Sequence, residues 1–134
     1  MSTSLLVSGG TNVSPDGEEQ SNILIQDGKI SLTSSDGVAD ETIDASGLLI
    51  FPGLIDAHVH FREPGLTHKA TMASEASAAR AGGVTTVCEM PNTNPPTFTA
   101  DALAEKVMIA KEVSDCDIHF FMGAVNQEHL SELR

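Results

Sequence analysis

In the segment Asp56-Ala57-His58-Val59-His60-Phe61-Arg62-Glu63-Pro64-Gly65, ionisable and apolar side chains alternate from Asp56 to Arg62. In an extended chain alternate residues share a face. Asp56, His58, His60 and Arg62 are therefore expected on one side, and Ile55, Ala57, Val59 and Phe61 on the other. Residues two apart lie about 7 Å apart at Cα, and two imidazoles at that spacing can converge on one ion. Zinc accepts histidine nitrogen at roughly 2.0–2.1 Å. An ionisable face backed by a greasy one is costly to bury unless a metal or ligand satisfies it. His-x-His alone also arises by chance on structural strands. Arg62 shifts the balance toward a site, because a cation beside a metal suits an anionic ligand held bidentately. Position shifts it further: these residues run from a strand into a Pro-Gly loop, and α/β sheets bind ligands at the carboxyl ends of their strands.

A second stretch, Glu89-Met90-Pro91-Asn92-Thr93-Asn94-Pro95-Pro96, ends the next apolar strand. If the two strands are neighbours, about 4.8 Å apart, Asn92 emerges beside His58 and His60. Its amide offers a donor and an acceptor, which suits a cyclic amide or a carboxylate. Equally, Asn and Pro here serve to shape a loop. The other candidates have ordinary readings. His68 reads as an exposed or capping histidine, His119 as a core histidine before Phe120 and Phe121, and His129 lies in an acidic tail with no role. Cys88 reads as a small hydrophobe in a buried strand. Neither Glu75 nor Glu89 has an obvious partner. Asn12-Val13-Ser14 matches a glycosylation acceptor, but Pro15 and the absence of a signal peptide argue against its use.

The elements that must position these residues fall into two kinds. Leu5-Leu6-Val7, Asn22–Gln26 and Lys29–Leu32 read as short strands, the last two joined by Asp27-Gly28, a strong hairpin signal. Residues 33–42 read as a loop. From Leu48 the pattern alternates: a strand to Phe61 broken by Pro52-Gly53, then a helix over Thr67–Ala81 with Ala70, Ala73, Ser77 and Arg80 at helical spacing. A strand follows over Val84–Met90. Thr99 caps a helix carrying Leu103, Val107 and Ala110, and a third strand covers Asp117–Val125. Strand, helix, strand, helix, strand means βαβ units and a parallel sheet, an α/β fold. The expected domains are a small β-domain over 1–47 and the first βα units over 48–134.

Composition narrows the partners. The 134 residues carry 19 Asp and Glu against 7 Lys and Arg, a net charge of −12. That excludes the basic face that nucleic acid requires. No apolar run approaches the roughly 20 residues of a membrane span, and the opening residues lack the marks of a signal peptide. Two cysteines, Cys88 and Cys116, are too sparse for a disulfide framework; a cytoplasmic location is expected. The acids crowd the two flanks, and the near-neutral stretch over residues 47–100 holds the chemistry-bearing residues.

Pro52-Gly53-Leu54-Ile55-Asp56-Ala57-His58-Val59-His60 resembles the opening strand of the amidohydrolase superfamily, metal-dependent hydrolases on a (β/α)8 barrel. His58–Gly65, Ala81-Gly82-Gly83-Val84-Thr85-Thr86 and Met90-Pro91-Asn92-Thr93-Asn94-Pro95 are similar to the dihydroorotases within it. The front third is similar to the small β-domain preceding that barrel. The resemblance implies reversible cyclisation of N-carbamoyl-L-aspartate to dihydroorotate in pyrimidine synthesis. It makes His58 and His60 ligands of Zn2+, in a binuclear centre when complete. It makes His60, Arg62 and Asn92 substrate-binding residues, with Arg62 and Asn92 holding the substrate carboxylate. Partners implied are the small-molecule substrate and a second copy of the chain or aspartate carbamoyltransferase. A full barrel needs about 250 residues, so the length fits the N-terminal part of a (β/α)8 barrel, incomplete as it stands. The family's further metal ligands and catalytic Asp are expected beyond Arg134, with no catalytic residue within the chain. Two alternatives stay open: a hydantoinase or allantoinase, and a non-catalytic dihydroorotase-like assembly partner.

Overall fold

Short apolar runs such as Leu5-Leu6-Val7 and Ile23-Leu24-Ile25, punctuated by Gly, Asp and Ser, give the front of the chain short strands. A computed structural model describes residues 4–33, 38–113 and 115–132. The strands are β1 (Ser4–Ser8), β2 (Thr11–Ser14), β3 (Gly17–Gln20), β4 (Asn22–Gln26), β5 (Lys29–Thr33), β6 (Glu41–Asp44) and β7 (Leu49–Ile50). They belong to a first compact unit, Met1–Pro52. One sheet runs β5-β4-β1-β6 and a second β3-β2-β7. Asp27 and Gly28 join β4 to β5 with φ of 53° and 70°, the two positive values that a type I′ turn demands. Among the described residues of this unit the buried positions are few, Leu6, Gly10 and Ala45. At Gly10 a Cβ would meet Ile50 Cδ1 at 2.4 Å. The hairpin of β2 and β3 runs through the Asn12-Val13-Ser14 segment. Strand β6 begins inside the stretch expected to be a loop, paired in parallel with β1 from Leu5↔Glu41 to Ser8↔Asp44. The middle of that expected loop, 34–37, lies outside the described residues.

The second unit, Gly53–Arg134, alternates β8 (Leu54–Val59), α1 (Met72–Ala81), β9 (Val84–Glu89), α2 (Ala100–Ala110), β10 (Asp117–Phe120) and α3 (Gln127–Ser131). Its sheet has the order β10-β9-β8, with both pairings parallel. These are three of the eight βα units of a barrel. Helix α1 starts at Met72 rather than Thr67 because Thr71 takes the cap: its side chain accepts from Ser74 N, and Ser74 answers from N3 in a capping box. Its buried side is Met72 and Ala76, with Ala79 packed alongside. These residues close on Phe61 and Val87, with Val59, Val84, Ile109, Ile118 and Phe120 around them. Gly53 precedes β8 where a Cβ would lie 2.2 Å from Thr85 Oγ1, so the sharp entry admits no side chain. Among the described residues no helix is long and apolar enough to cross a membrane.

Candidate active site

Strand β8 ends at Val59, and the chain leaves it through His60, Phe61 and Arg62. The regular alternation expected from Asp56 to Arg62 breaks at both ends. The register with β9 shifts between Asp56 and Val59, a bulge within the strand. The Asp56 carboxylate turns back to accept the His58 backbone N–H at 3.0 Å. It lines a cleft of about 210 Å³ together with His60 and with Glu75, Ala78 and Ala79 of α1. At the far end Arg62 has φ 68°, a left-handed backbone that lifts it off the strand. Arg62 is half-buried and makes no ion pair among the described residues.

The two imidazoles stay together. The rings of exposed His58 and half-buried His60 have centroids 5.2 Å apart and planes at 64°. Two imidazoles bound tetrahedrally to one zinc at roughly 2.0–2.1 Å would have centroids about 5.2 Å apart, so the spacing suits a shared ion. Strand β9 supplies the next residue. Met90 N donates to Val59 O at 2.9 Å, which sets the two strand ends side by side. Asn92 Oδ1 then lies 2.7 Å from His60 Nδ1. An amide oxygen can only accept, so this contact places the proton on Nδ1 and leaves Nε2 with a free lone pair. Metal-binding histidines are held in the same manner. As a donor set the pair fits two ligands of a zinc. Among the described residues no group of three or more His, Cys, Asp or Glu is arranged to hold a metal.

The remaining candidates lie apart from this pair. His68 is exposed in the turn before α1. His119 is exposed on β10, in register with Cys88 of β9. His129 packs its ring on Phe98 at 5.0 Å. Burial, and then the charges of Asp115 and Asp117, push the Cys116 thiol up.

The residue that sequence reasoning left without a partner has one. Glu89, at the end of β9, is fully buried against Lys106 of α2, itself fully buried. Lys106 Nζ donates to Glu89 Oε2 and, at 3.0 Å, to Met90 O. It also lies 5.6 Å from the centre of the Phe120 ring. Burial is the strongest influence on both groups, raising the Glu89 carboxyl and lowering the Lys106 ammonium against their mutual attraction. The signal was present but unread: a lone acid closing an apolar strand, and a lone lysine on the helix position between Leu103 and Ile109.

The sheet, the metal-suited histidine pair and the loops beyond them define a class. The family model described as Amidohydrolase family matches residues 49–132, and the chain belongs to that family. It is 46% identical over 103 residues to a dihydroorotase of Streptococcus pneumoniae serotype 4, covering 74% of this chain and 24% of that protein. An allantoinase of Desulfitobacterium hafniense is 39% identical over 134 residues, 96% of this chain and 30% of its own. Among solved structures, an L-hydantoinase (dihydropyrimidinase) from Arthrobacter aurescens superposes with a TM-score of 0.92 at 35% identity, over 98% of this chain and 30% of that one. The chain thus spans 24–30% of the length of these relatives. Its fold is the corresponding part of an amidohydrolase barrel with its β-domain.

Proposed function

We propose that this chain contributes to a zinc-dependent cyclic amidohydrolase whose substrate carries a carboxylate, with dihydroorotate and N-carbamoyl-L-aspartate as the pair of reactants. The observation that carries the reading is Arg62, half-buried and unpaired two residues beyond the His58–His60 pair. A half-buried guanidinium without a counter-ion is a natural receptor for a carboxylate, which it binds through two parallel hydrogen bonds. His58 and His60 would hold the metal through their free ring nitrogens. When bound, zinc supplies Lewis acidity toward an amide carbonyl and makes water a stronger acid. Asn92 keeps its amide N–H groups available for the ligand while its oxygen holds His60. The reading takes the general base and the remaining metal ligands from the rest of the length that the relatives possess.

A second reading, a hydantoinase or allantoinase acting on a neutral cyclic urea, is favoured by the greater coverage of the allantoinase match, 96% of the chain against 74%. One comparison separates them, because dihydrouracil is dihydroorotate without its carboxylate. Calorimetric titration of the zinc-loaded protein is expected to show dihydroorotate binding at least tenfold more tightly. Arg62→Gln is expected to remove most of that margin, since a hydrogen bond to a charged group is worth about 1.5–3 kcal/mol. Equal affinity for dihydrouracil, hydantoin or allantoin would favour the second reading.

A further inference from the structure

Arg62 is followed directly by a residue of opposite charge, yet the two do not pair. The Glu63 carboxylate is engaged elsewhere: its Oε2 accepts from the backbone N–H of Met72, the first residue of α1, at 2.8 Å. That N–H is one of the orphan donors at a helix start, and the positive end of the helix dipole favours a carboxylate there. The cap is shared between two side chains. Thr71 Oγ1 takes the Ser74 N–H, Glu63 takes that of Met72, and Met72 is anchored in the core. On its other side the loop is locked to the segment that carries Asn92. Asn94 N donates to Pro64 O at 3.2 Å, and at Gly65, φ 82°, a Cβ would lie 1.8 Å from Asn94 O.

We infer that Glu63 is a positioning residue: held by the N-terminus of α1, it fixes the left-handed turn at Arg62 and is withheld from the guanidinium, which stays open to an anionic ligand. This rests on the reading of Arg62 as a carboxylate receptor. Without the Glu63 anchor the Arg62 turn keeps its tether to Asn94 and loses its tether to α1. The guanidinium then samples positions that do not meet the ligand, while the histidine pair and Asn92 are untouched.

The test compares two ligands and three proteins. Affinities of the zinc-loaded protein for dihydroorotate and for dihydrouracil are measured by calorimetry for the native chain, Glu63→Ala and Glu63→Gln. Glu63→Ala is expected to weaken dihydroorotate at least tenfold and leave dihydrouracil within threefold. Glu63→Gln keeps an acceptor for Met72 N–H and is expected to stay within threefold of native for both ligands. A residue that served only stability would move both ligands together or neither. Retained discrimination in Glu63→Ala, or equal loss in Glu63→Ala and Glu63→Gln, would overturn the inference. Should Glu63→Ala fail to fold, Glu63→Ser, polar but too short to reach Met72, replaces it with the same expected outcome. If the native protein itself does not discriminate between the ligands, the reading of Arg62 fails instead.

Discussion

Replacing Lys106 by methionine removes the charge that answers Glu89 and keeps a side chain of similar length. Both partners are fully buried, and Glu89 Oε1 makes no hydrogen bond even with Lys106 in place. Breaking such a pair from one side costs about 3–5 kcal/mol. The carboxylate has an escape: it can take up a proton. Relative to a glutamate titrating at its ordinary 4.5, protonation at pH 7 costs about 3.4 kcal/mol, about 1.36 kcal/mol for each pH step. The charge part of the penalty therefore cannot exceed that figure. Without Lys106 its hydrogen bond and charge no longer lower the Glu89 carboxyl; burial, the largest influence, raises it against only the smaller pull of the Phe61 backbone and His60. The folded state then holds a proton that the unfolded chain releases near 4.5. The stability of that protonated form is complete below 4.5 and is lost as pH rises from there toward the raised folded value. Lys106→Met is thus expected to lie about 3 kcal/mol below the native chain at pH 7 and about 1 kcal/mol or less below it at pH 5. Urea unfolding followed by circular dichroism at pH 5, 6, 7 and 8 gives the slope. Adding Glu89→Gln to Lys106→Met should flatten the slope and return most of the loss. A deficit independent of pH, or a double variant as unstable as the single one, would refute the reasoning.

Gly65→Ala is expected to cost at least about 1–2 kcal/mol from its left-handed backbone alone, with more from the contact at Asn94, read as a lower midpoint in the same unfolding assay. Thr71→Ala removes the cap that accepts Ser74 N and is expected to cost about 1 kcal/mol. Asn92→Leu should weaken zinc binding about 10–100-fold, the usual effect of losing a residue that orients a metal-binding histidine, measured by competition with a chromophoric chelator; unchanged affinity would show that the His60 contact orients nothing. Ile55, 71% exposed on β8, and Val125, 70% exposed beyond β10, leave apolar surface at the two sides of the sheet. The purified chain is expected to brighten a hydrophobic dye and to self-associate with concentration, and Ile55→Lys should reduce both.

Much of this arrangement was legible in order and type. The Asp27-Gly28 turn, the β8–α1–β9–α2–β10 alternation and the Thr99 cap all follow from local chemistry that tertiary contacts do not override. What local pattern could not supply is the consequence of contacts distant in sequence. A period of two places Asp56 with the histidines, whereas the bulge between Asp56 and Val59 depends on pairing with β9. Leu103, Val107 and Ala110 follow the helical period in α2, yet Lys106 is the fully buried residue and Val107 and Met108 are exposed. A lysine turns inward only when a carboxylate waits there, and Glu89 lies 17 residues earlier. Strands β2 and β3 were missed because Thr11–Ser14 and Gly17–Gln20 are mostly polar; backbone pairing holds them rather than burial. His58, His60 and Asn92 were legible as neighbours from strand order, whereas the divergence of Arg62 and Glu63 depends on a left-handed backbone and a helix start nine residues on.

The parallel pairing of the second unit also bears on how quickly each part of the chain acquires its shape. The β4–β5 and β2–β3 hairpins close between residues as near as Gln26↔Lys29 and Ser14↔Gly17, a search completed in about 1–10 μs. Leu54 must find Val84, and Thr86 must find Asp117, each across about thirty residues that include a helix still to be ordered. Closure over that span comes before any contact compensates for it, which slows folding. On a ribosome adding about 5–20 residues per second, β8 waits more than a second for β9, and Val59 and Phe61, which pack with Val87 in the finished core, stay uncovered meanwhile. The first unit has its own distant pairings, Leu5↔Glu41 and Thr11↔Leu49, but also two hairpins from which to start. The sheet that sets His60 beside Asn92 has only distant pairings, and so lacks a local contact to guide its assembly.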